Sequence, residues 1–148
     1  DEDFTGGAGQ DTITSDGGSD TYRFILKTDG EVVSANRSDH SSHTGDLWAD
    51  FNSSQDSITF FDGADGVFGN IIESFEDNVN FEVLASGFDG TNAVSSNFTK
   101  GKATLIHDTV NDILFFDDNG SADGFTVLAE LTDSASIAAS DFSFTNVA

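Results

Sequence analysis

A nine-residue repeat at the start of the chain is the feature that most limits what the chain can fold into. Phe4, Ile13 and Tyr22 are nine residues apart. The same spacing relates three further pairs, which are Gly9 and Gly18, Asp11 and Asp20, and Thr12 and Thr21. The first copy, GGAGQDTIT (6–14), has the pattern G-G-x-G-x-D-x-U-x with U apolar, and the second copy, SDGGSDTYR (15–23), has lost the first two glycines. An ordinary glycine-aspartate hairpin loop is the alternative, but it does not explain why apolar residues, glycines and aspartates share one period.

This pattern is typical of calcium-binding parallel β-rolls, in which each glycine-rich turn is followed by a short strand with one inward apolar residue. Glycine permits the positive φ that such a turn needs, and it leaves the backbone carbonyl oxygens uncovered. The aspartate adds a carboxylate, so the turns offer oxygen ligands. Calcium binds about six to eight oxygens in flexible geometry, whereas zinc prefers nitrogen and sulfur. The repeat therefore predicts Ca²⁺ as the cofactor.

The period also predicts where the ions lie, because turns alternate between the two sides of a roll and each stacks on the turn two repeats away. The turn at 6–11 is expected to face residues 24–29, and the turn at 15–20 is expected to face the end of a turn at Asp1 and Glu2. The predicted carboxylate ligands are Asp11, Asp20, Glu2 and Asp29, and the predicted carbonyl donors are Gly7, Gly9 and Gly18.

Composition limits the class of protein. The 148 residues are 36% apolar and include 15 Phe, so one domain with a hydrophobic core is expected. The formal charge of -22 should repel nucleic acid and anionic membranes. There is no Cys for a disulfide scaffold, and the sequence has no membrane span, so no membrane insertion is expected. Because the sequence begins within a repeat, we expect it to be the C-terminal piece of a longer chain.

Short apolar runs after the repeats predict an all-β fold, with a short parallel β-roll that continues into a β-sandwich-like C-terminal cap. The predicted division is a roll remnant at 1–30 and a cap at 31–148, packed as one unit. Residues 113–131 predict a hairpin around the turn DDNGSADG (117–124), and Tyr22, Phe24 and Leu26 predict a strand that leaves the roll. Helical spacing of apolar residues behind Asp65 predicts one helix that ends near Phe75.

Three stretches taken in order, GGAGQDTIT…GGSDTYRF, GDLWADFNSSQDSITF (45–60) and the segment from Asp112 to Phe144, resemble the C-terminal region of RTX proteins. The chain is most similar to the serralysin-type C-terminal domain and to the R-modules of mannuronan epimerases. In that family, an aspartate-phenylalanine pair and a second aspartate before a strand mark the strands after the roll. Asp50 with Phe51, and Asp56 before Ile58, match this arrangement. Residues 62–102 match no part of it.

The resemblance implies a secreted, extracellular bacterial protein that is exported by a type I secretion transporter through an uncleaved C-terminal segment, here 133–148. It implies a non-catalytic calcium-binding module that folds once calcium binds outside the cell. The alternative is an accessory module that binds a polysaccharide such as alginate or a cell surface. Five basic residues against 27 acidic ones are a poor basis for binding a polyanion, so the first function is preferred.

Other candidate sites are weaker. The sequence has no H-E-x-x-H or G-x-S-x-G motif, so no catalytic residue is predicted. His40 and His43 form an H-x-x-H pattern, for which a solvated loop (34–46) is the simpler interpretation, and His107 is expected at a core edge or on the surface. A further ion site at Asp46, Asp50 and Asp56 is conceivable, but solvated turn residues are the simpler interpretation. Trp48, Phe60 and Phe81 are candidate stacking platforms for sugars, although most Phe residues must form the core.

Overall fold

The computed structural model of the chain describes residues 1–34, 37, 39–62, 75–77, 80–90, 104–117, 124–132 and 136–146. In these ranges the regular structure is almost entirely β-strand, with two short 3₁₀ turns at Lys27–Asp29 and Ala139–Asp141, so the all-β prediction is confirmed. Within the same ranges, no helix is long and apolar enough to cross a membrane. The predicted helix at 65–75 lies outside the described residues except for Phe75.

Eleven strands are described, and they form two sheets. In chain order the strands are β1 (Asp3–Phe4), β2 (Thr12–Ile13), β3 (Thr21–Phe24), β4 (Glu31–Val33), β5 (Asp46–Trp48), β6 (Ser57–Asp62), β7 (Phe81–Leu84), β8 (Thr104–Asp108), β9 (Ile113–Asp117), β10 (Phe125–Leu131) and β11 (Phe142–Asn146).

The first sheet has four strands in the order β1-β3-β6-β11, and every neighbouring pair is parallel. Its strands alternate between apolar and polar residues. Tyr22 and Phe24 of β3 and Ile58 and Phe60 of β6 are all buried, because a period of two places them on one face of the sheet. The inward face of this sheet is therefore largely aromatic, and its outward face is polar except for Phe61.

The second sheet has the order β2-β5-β10-β9-β8-β7, with β4 also paired to β10. Strands β9 and β10 are antiparallel, as the predicted hairpin requires, and a bulge lies between Val127 and Ala129. By contrast, β2 pairs with β5, β5 with β10, and β7 with β8 in parallel. This sheet is therefore mixed, and it buries residues on both of its faces.

Successive strands at the start of the chain alternate between the sheets, since β1 and β3 lie in the first sheet and β2 lies in the second. The strands β5 and β6 continue this alternation after β4, which pairs with β10 in the second sheet. Strand β3 ends at Phe24, so the predicted continuation to Leu26 is wrong. Leu26 directly precedes the 3₁₀ turn at Lys27–Asp29, where the chain leaves the sheet. The domain boundary at residue 30 stays a prediction.

The main hydrophobic core lies between the two sheets and is unusually aromatic. Tyr22 and Trp48 have ring centroids 4.5 Å apart, and Phe24 stacks on Phe60 at 5.6 Å. A second cluster lies on the other face of the second sheet, where Phe88, Phe115, Phe125 and Val127 pack together with Ile106 and Ile113. The expectation that most Phe residues form the core is confirmed for the described residues.

Candidate calcium-binding turns

The turn at 15–20 lies beside the residues that precede β1. The N–H of Ser19 donates to Oδ1 of Asp1 at 2.8 Å, and the N–H of Glu2 donates to Oδ1 of Asp20 at 2.7 Å. Because β1 and β3 pair in parallel, the residues just before each strand are neighbours. The structure therefore brings Glu2 and Asp20 together, which is the arrangement that the nine-residue period predicts.

Asp20 is the most deeply buried of the predicted ligands, with 1% of its surface exposed. Its backbone N–H donates to Oδ1 of Asp56 at 3.0 Å, and the backbone nitrogen of Asp1 lies 3.6 Å from its Oδ1. Its Oδ2 atom is buried and has no hydrogen-bond partner. A buried carboxylate oxygen without a partner is costly, because it has lost its water without gaining a donor or cation. This oxygen atom can therefore still coordinate a cation.

The three glycines predicted as carbonyl donors all have a positive φ angle. Gly7, Gly9 and Gly18 have φ angles of 82°, 110° and 138°. A Cβ atom at Gly7 or Gly9 would meet no atom within 4 Å. Glycine is therefore selected at these two positions by the left-handed backbone of the turn and not by lack of space.

The strand after the turn at 6–11 does not have residues 24–29 as its neighbour in the sheet, although the charge of Asp29 acts on Asp46 beside Asp11. Strand β2 pairs with β5 instead, and the N–H of Asp11 donates to Oδ1 of Asp46 at 3.0 Å. The chain after β3 does not continue the alternation of the repeats: it forms the 3₁₀ turn at Lys27–Asp29 and then β4, which pairs with β10, so that β5 takes the place beside β2. Asp29 ends the 3₁₀ turn, where its Oδ2 accepts the N–H groups of residues 25 and 26.

Asp46 was considered for a further ion site, but the preferred interpretation as a solvated turn residue is wrong, since Asp46 is 2% exposed. Burial raises its pKa to about 7, and the negative charges of Asp11 and Asp29 act in the same direction, against the hydrogen bond from the Asp11 N–H. Three carboxylates thus interact at the start of β5. One sequence signal could have indicated this role, since Asp46 directly precedes an apolar strand, as Asp11 does. The 35 residues between Asp11 and Asp46 are not a multiple of nine, so the repeat period does not relate the two.

Asp50 and Asp56 both accept N–H groups of the turn at 15–20, because Oδ1 of Asp56 accepts the N–H of Asp20 at 3.0 Å. Asp50 accepts the N–H groups of Ser15 at 2.8 Å and Asp16 at 2.6 Å, while Oδ2 of Asp56 accepts the N–H of Asn52 at 2.8 Å. Asp56 is buried, so it is not the solvated turn residue that was expected.

The carboxylates of Asp50, Asp56 and Asp20 also act together on the hydroxyl group of Tyr22. Burial raises the pKa of Tyr22 to about 12, and the negative charges of these three residues add to the effect. The turn at 15–20 therefore lies in a concentrated negative field. Asp46 belongs to the other sheet, so the conceivable site of Asp46 with Asp50 and Asp56 is divided between the two sheets.

The two histidines of the H-x-x-H pattern are buried, which corrects the expectation of a solvated loop. His40 is 4% exposed and lies among the rings of Phe88, Phe115 and Phe125. His43 is 8% exposed, and its Nε2 lies 2.8 Å from Oε2 of Glu130. The two side chains thus have different partners.

His107 is also more buried than expected. It is 2% exposed, and neither ring nitrogen has a hydrogen-bond partner. Burial lowers its pKa, against the opposing charges of Asp112 and Asp108. The imidazole is therefore held neutral at the inner face of β8.

The three aromatic residues considered as sugar-stacking platforms all lie in the core. Trp48, Phe60 and Phe81 are each no more than 1% exposed. A buried ring cannot stack on a polysaccharide, so these three candidates are excluded as binding residues.

Within the described ranges, no three or more His, Asp or Glu side chains are grouped so that they could hold a metal ion by themselves. The acidic side chains instead lie beside the glycine-containing turns, with Asp11 and Asp46 at the turn at 6–11, and Asp1 and Asp20 at the turn at 15–20. Neither a scan against protein-family models nor a search of curated proteins finds a match for the chain. The function is therefore argued from the residues and their geometry.

Proposed function

We propose that the chain is a non-catalytic calcium-binding module, in which the glycine-aspartate turns bind Ca²⁺ and couple folding to calcium. The observation that carries the proposal is the buried Oδ2 atom of Asp20, which has no hydrogen-bond partner. It belongs to a turn with a glycine in the left-handed conformation, next to the turn residues Asp1 and Glu2. A calcium ion at this point would supply the missing partner and would also bind backbone carbonyl oxygens.

The overall charge supports the same proposal. With five basic and 27 acidic residues, the folded chain concentrates negative charge, and this self-repulsion disfavours the compact state. A divalent cation that binds the turns relieves the repulsion where it is strongest. The protein would then be less stable, or unfolded, in a low-calcium cytosol and folded outside the cell.

The proposed architecture is a short parallel β-roll at 1–30 that continues into a cap at 31–148. The alternation of β1, β2 and β3 between two sheets and their parallel pairing support it. The resemblance to RTX C-terminal regions adds the rest of the proposal. The module belongs to a bacterial protein exported by a type I transporter, and residues 133–148 serve as the export address before they fold.

A calcium titration followed by thermal unfolding tests the proposal. A ligand that binds only the folded state stabilises it by about 2.7 kcal/mol at a hundredfold excess over Kd, or about 5–10 °C in Tm for a chain of this size. Extracellular calcium modules bind at roughly 10⁻⁴–10⁻³ M, so Tm should rise between chelator and millimolar calcium. An unchanged Tm over this range, or an equal rise with Mg²⁺, would contradict specific calcium binding.

Substitution of one carboxylate tests whether Asp20 is a calcium ligand. Asp20→Asn keeps an oxygen that can accept the N–H of Glu2 but removes the charge, so most of the calcium-dependent rise in Tm should disappear. Asp141→Asn is the matched control, because Asp141 is also buried and its Oδ2 accepts one N–H, from Ala138 at 2.9 Å. If both variants retain the full calcium response, Asp20 is not a ligand.

A second candidate function, binding of a polysaccharide, is favoured by the outward face of the first sheet. The guanidinium carbon of Arg23 lies 5.6 Å from the ring centroid of Phe61, and its Nη2 lies 2.6 Å from Oδ2 of Asp3. Hydroxyl side chains occupy neighbouring positions on this face, at Thr21, Ser57, Thr59 and Ser143.

Affinity gels that contain neutral or uronate polysaccharides, run with calcium, test this second function. Retardation that is lost in Arg23→Ala and Phe61→Ala but kept in the control Lys27→Ala would support it. No retardation on any gel would exclude it for the polymers used.

A further inference from the structure

Residues 39–45, which we name the strap, lie on the outer face of the second sheet and are anchored by His40. The imidazole is stacked on Phe88 with centroids 5.8 Å apart and an interplanar angle of 10°. Its edge contacts are with Phe115 at 4.7 Å and Phe125 at 5.7 Å. These rings come from a loop and two different strands, so the pocket exists only when the sheet is formed.

The hydrogen bond of His40 indicates which ring nitrogen carries the proton. Nε2 lies 3.2 Å from the carbonyl oxygen of Phe88, which can only accept, so Nε2 carries the proton. Nδ1 is buried and has no partner. A second proton at Nδ1 would place a cation in an aromatic pocket with no acceptor for the new N–H, and burial accordingly lowers the pKa of His40.

The charged groups around His40 do not offset this cost. Arg37 and Asp39 act on it from its own segment, with opposite signs. Asp108 acts from β8, but its carboxylate already accepts the N–H groups of Phe88, Val110 and Asn111. Among the residues that the structure describes, the remaining charged groups on this sheet face or next to the pocket are Glu31, His43, Glu82, Asp89, Asp117 and Glu130.

The strap is connected to the turn at 6–11. The side-chain Nε2 of Gln10 donates to the carbonyl oxygens of His43 at 3.2 Å and Gly45 at 3.1 Å. Further along the strap, the N–H of Thr44 donates to Glu31 at 2.8 Å. Displacement of the strap would therefore release Gln10 and free the turn that it helps to hold.

We propose that the strap is an acid-released device: protonation of His40 expels residues 39–45 from the aromatic pocket, and the release loosens the turn at 6–11. The first step depends only on His40 and its pocket. The second step, a loss of calcium affinity on acidification, rests on the proposed function. The site would then hold calcium at neutral pH and release it more easily in acid.

Amide hydrogen exchange of residues 39–45 in chelator tests the first step, with rates corrected for the intrinsic effect of pH. Opening should increase by up to tenfold for each pH unit below about 6.5, the ordinary His pKa, because one proton is taken up. In His40→Phe and His40→Gln, which cannot be protonated, protection should not depend on pH. Gln also keeps a donor for the Phe88 carbonyl.

His43→Gln is the matched control, because it removes the contact with Glu130 but leaves His40 able to titrate. Acid release should persist in it. Equal protection of the wild-type strap at neutral and acid pH, or equal release in the two His40 variants, would overturn the proposal. Where neither variant folds, NMR titration of His40 in the wild type decides, since a His40 that titrates without any change in the strap amides is incompatible with release.

Calcium affinity measured over the same pH range tests the second step. Affinity should fall more steeply in the wild type than in His40→Phe. Equal falls would reject the coupling while leaving strap release intact. If calcium has no effect at any pH, the proposed function fails, and the exchange data in chelator still decide strap release.

Discussion

The buried aspartates of this protein act as acceptors for backbone N–H groups. Asp20, Asp46 and Asp56 each accept an N–H from the residue at the matching position of an adjacent strand, or from their own turn. These bonds stabilise the charged form, whereas burial and neighbouring carboxylates destabilise it. At Asp46 the second effect is larger, so this side chain favours a proton or, under the proposed function, a cation.

Asp46→Asn should stabilise the protein in chelator above neutral pH. The folded-state pKa is raised to about 7, so the folded protein binds more protons than the unfolded chain between the ordinary value of 3.8 and about 7. Stability from this group is therefore lost as pH rises through that window, by up to roughly 4 kcal/mol. Asparagine keeps an acceptor for the Asp11 N–H and removes the cost.

Thermal unfolding in chelator near pH 8 and near pH 5 measures this effect. The difference between Asp46→Asn and wild type should be large at the higher pH and small at the lower. Asp16→Asn removes the same charge from an exposed position and should change Tm little. A lower Tm for Asp46→Asn near pH 8 would show that the buried charge is already compensated.

At the scale of elements, close approach of β10 requires glycine in the segment that leads into β5. A Cβ atom at Gly45 would lie 2.7 Å from the carbonyl oxygen of Val127 and 3.0 Å from that of Leu128. Both neighbours are backbone atoms in the middle of a sheet, so they cannot move cheaply.

Gly45→Ala should therefore destabilise the protein by about 1–3 kcal/mol, since forced overpacking typically costs this much. For a chain of this size, each kcal/mol lowers Tm by about 2–4 °C. Gly17→Ala is the matched control, because a Cβ there would meet no atom within 4 Å. Urea or thermal denaturation of both variants measures the difference, and equal stabilities would mean that the strap can move away from β10.

Under the proposed function, the segment that contains β11 has two successive roles. In the folded state, β11 pairs in parallel with β6, and Phe142 is buried. Under the proposed function, the segment 133–148 is first an export address that must be unfolded, and only later an edge of the first sheet. The described part of this segment is compatible with the later role.

Deletion of residues 133–148 from the full-length parent protein should leave the product inside the cell. Immunoblots of cells and medium measure this, with an internal deletion that spares the segment as control. A charge-preserving scramble of 133–148 should also block export if the sequence itself is recognised. Normal amounts of truncated protein in the medium would place the export signal elsewhere.

At the scale of the whole molecule, a charge of -22 on 148 residues sets the response to salt. The few ion pairs in the described ranges, such as Arg37 with Glu31 and Arg23 with Asp3, are local exceptions in a field of like charges. Like charges repel across the surface over a Debye length of about 30 Å at 0.01 M salt and about 10 Å at 0.1 M.

Monovalent salt should therefore raise Tm in chelator by several degrees between about 0.01 and 0.3 M, because the Debye length falls by a factor of about five. Calcium at constant ionic strength should add a further rise that sodium cannot reproduce. A Tm that falls with added sodium chloride would mean that attractive pairs outweigh the net repulsion.

The sequence predicted local structure better than pairing. Apolar runs and turn residues are properties of neighbouring positions, so the hairpin of β9 with β10 was predicted near its observed position. The pairing of β2 with β5 was not predicted, because the residues between β3 and β5 interrupt the nine-residue period. His40 and His43 appeared in a polar stretch, yet their burial depends on residues from β9, β10 and a loop near Phe88.

The sequence by itself determined the chemistry of the turns, the all-β class and the large negative charge. These follow from residue types and short spacings, which act within a few positions of the chain: glycine where φ is positive, aspartate before a strand, and apolar residues at a period of two. Only the tertiary structure decided which carboxylates meet and how deeply each is buried. Asp46 meets Asp11 across 35 residues of sequence, and an orphaned oxygen at Asp20 appears only when β1, β3 and β6 enclose it, because desolvation and charge repulsion depend on neighbours in space.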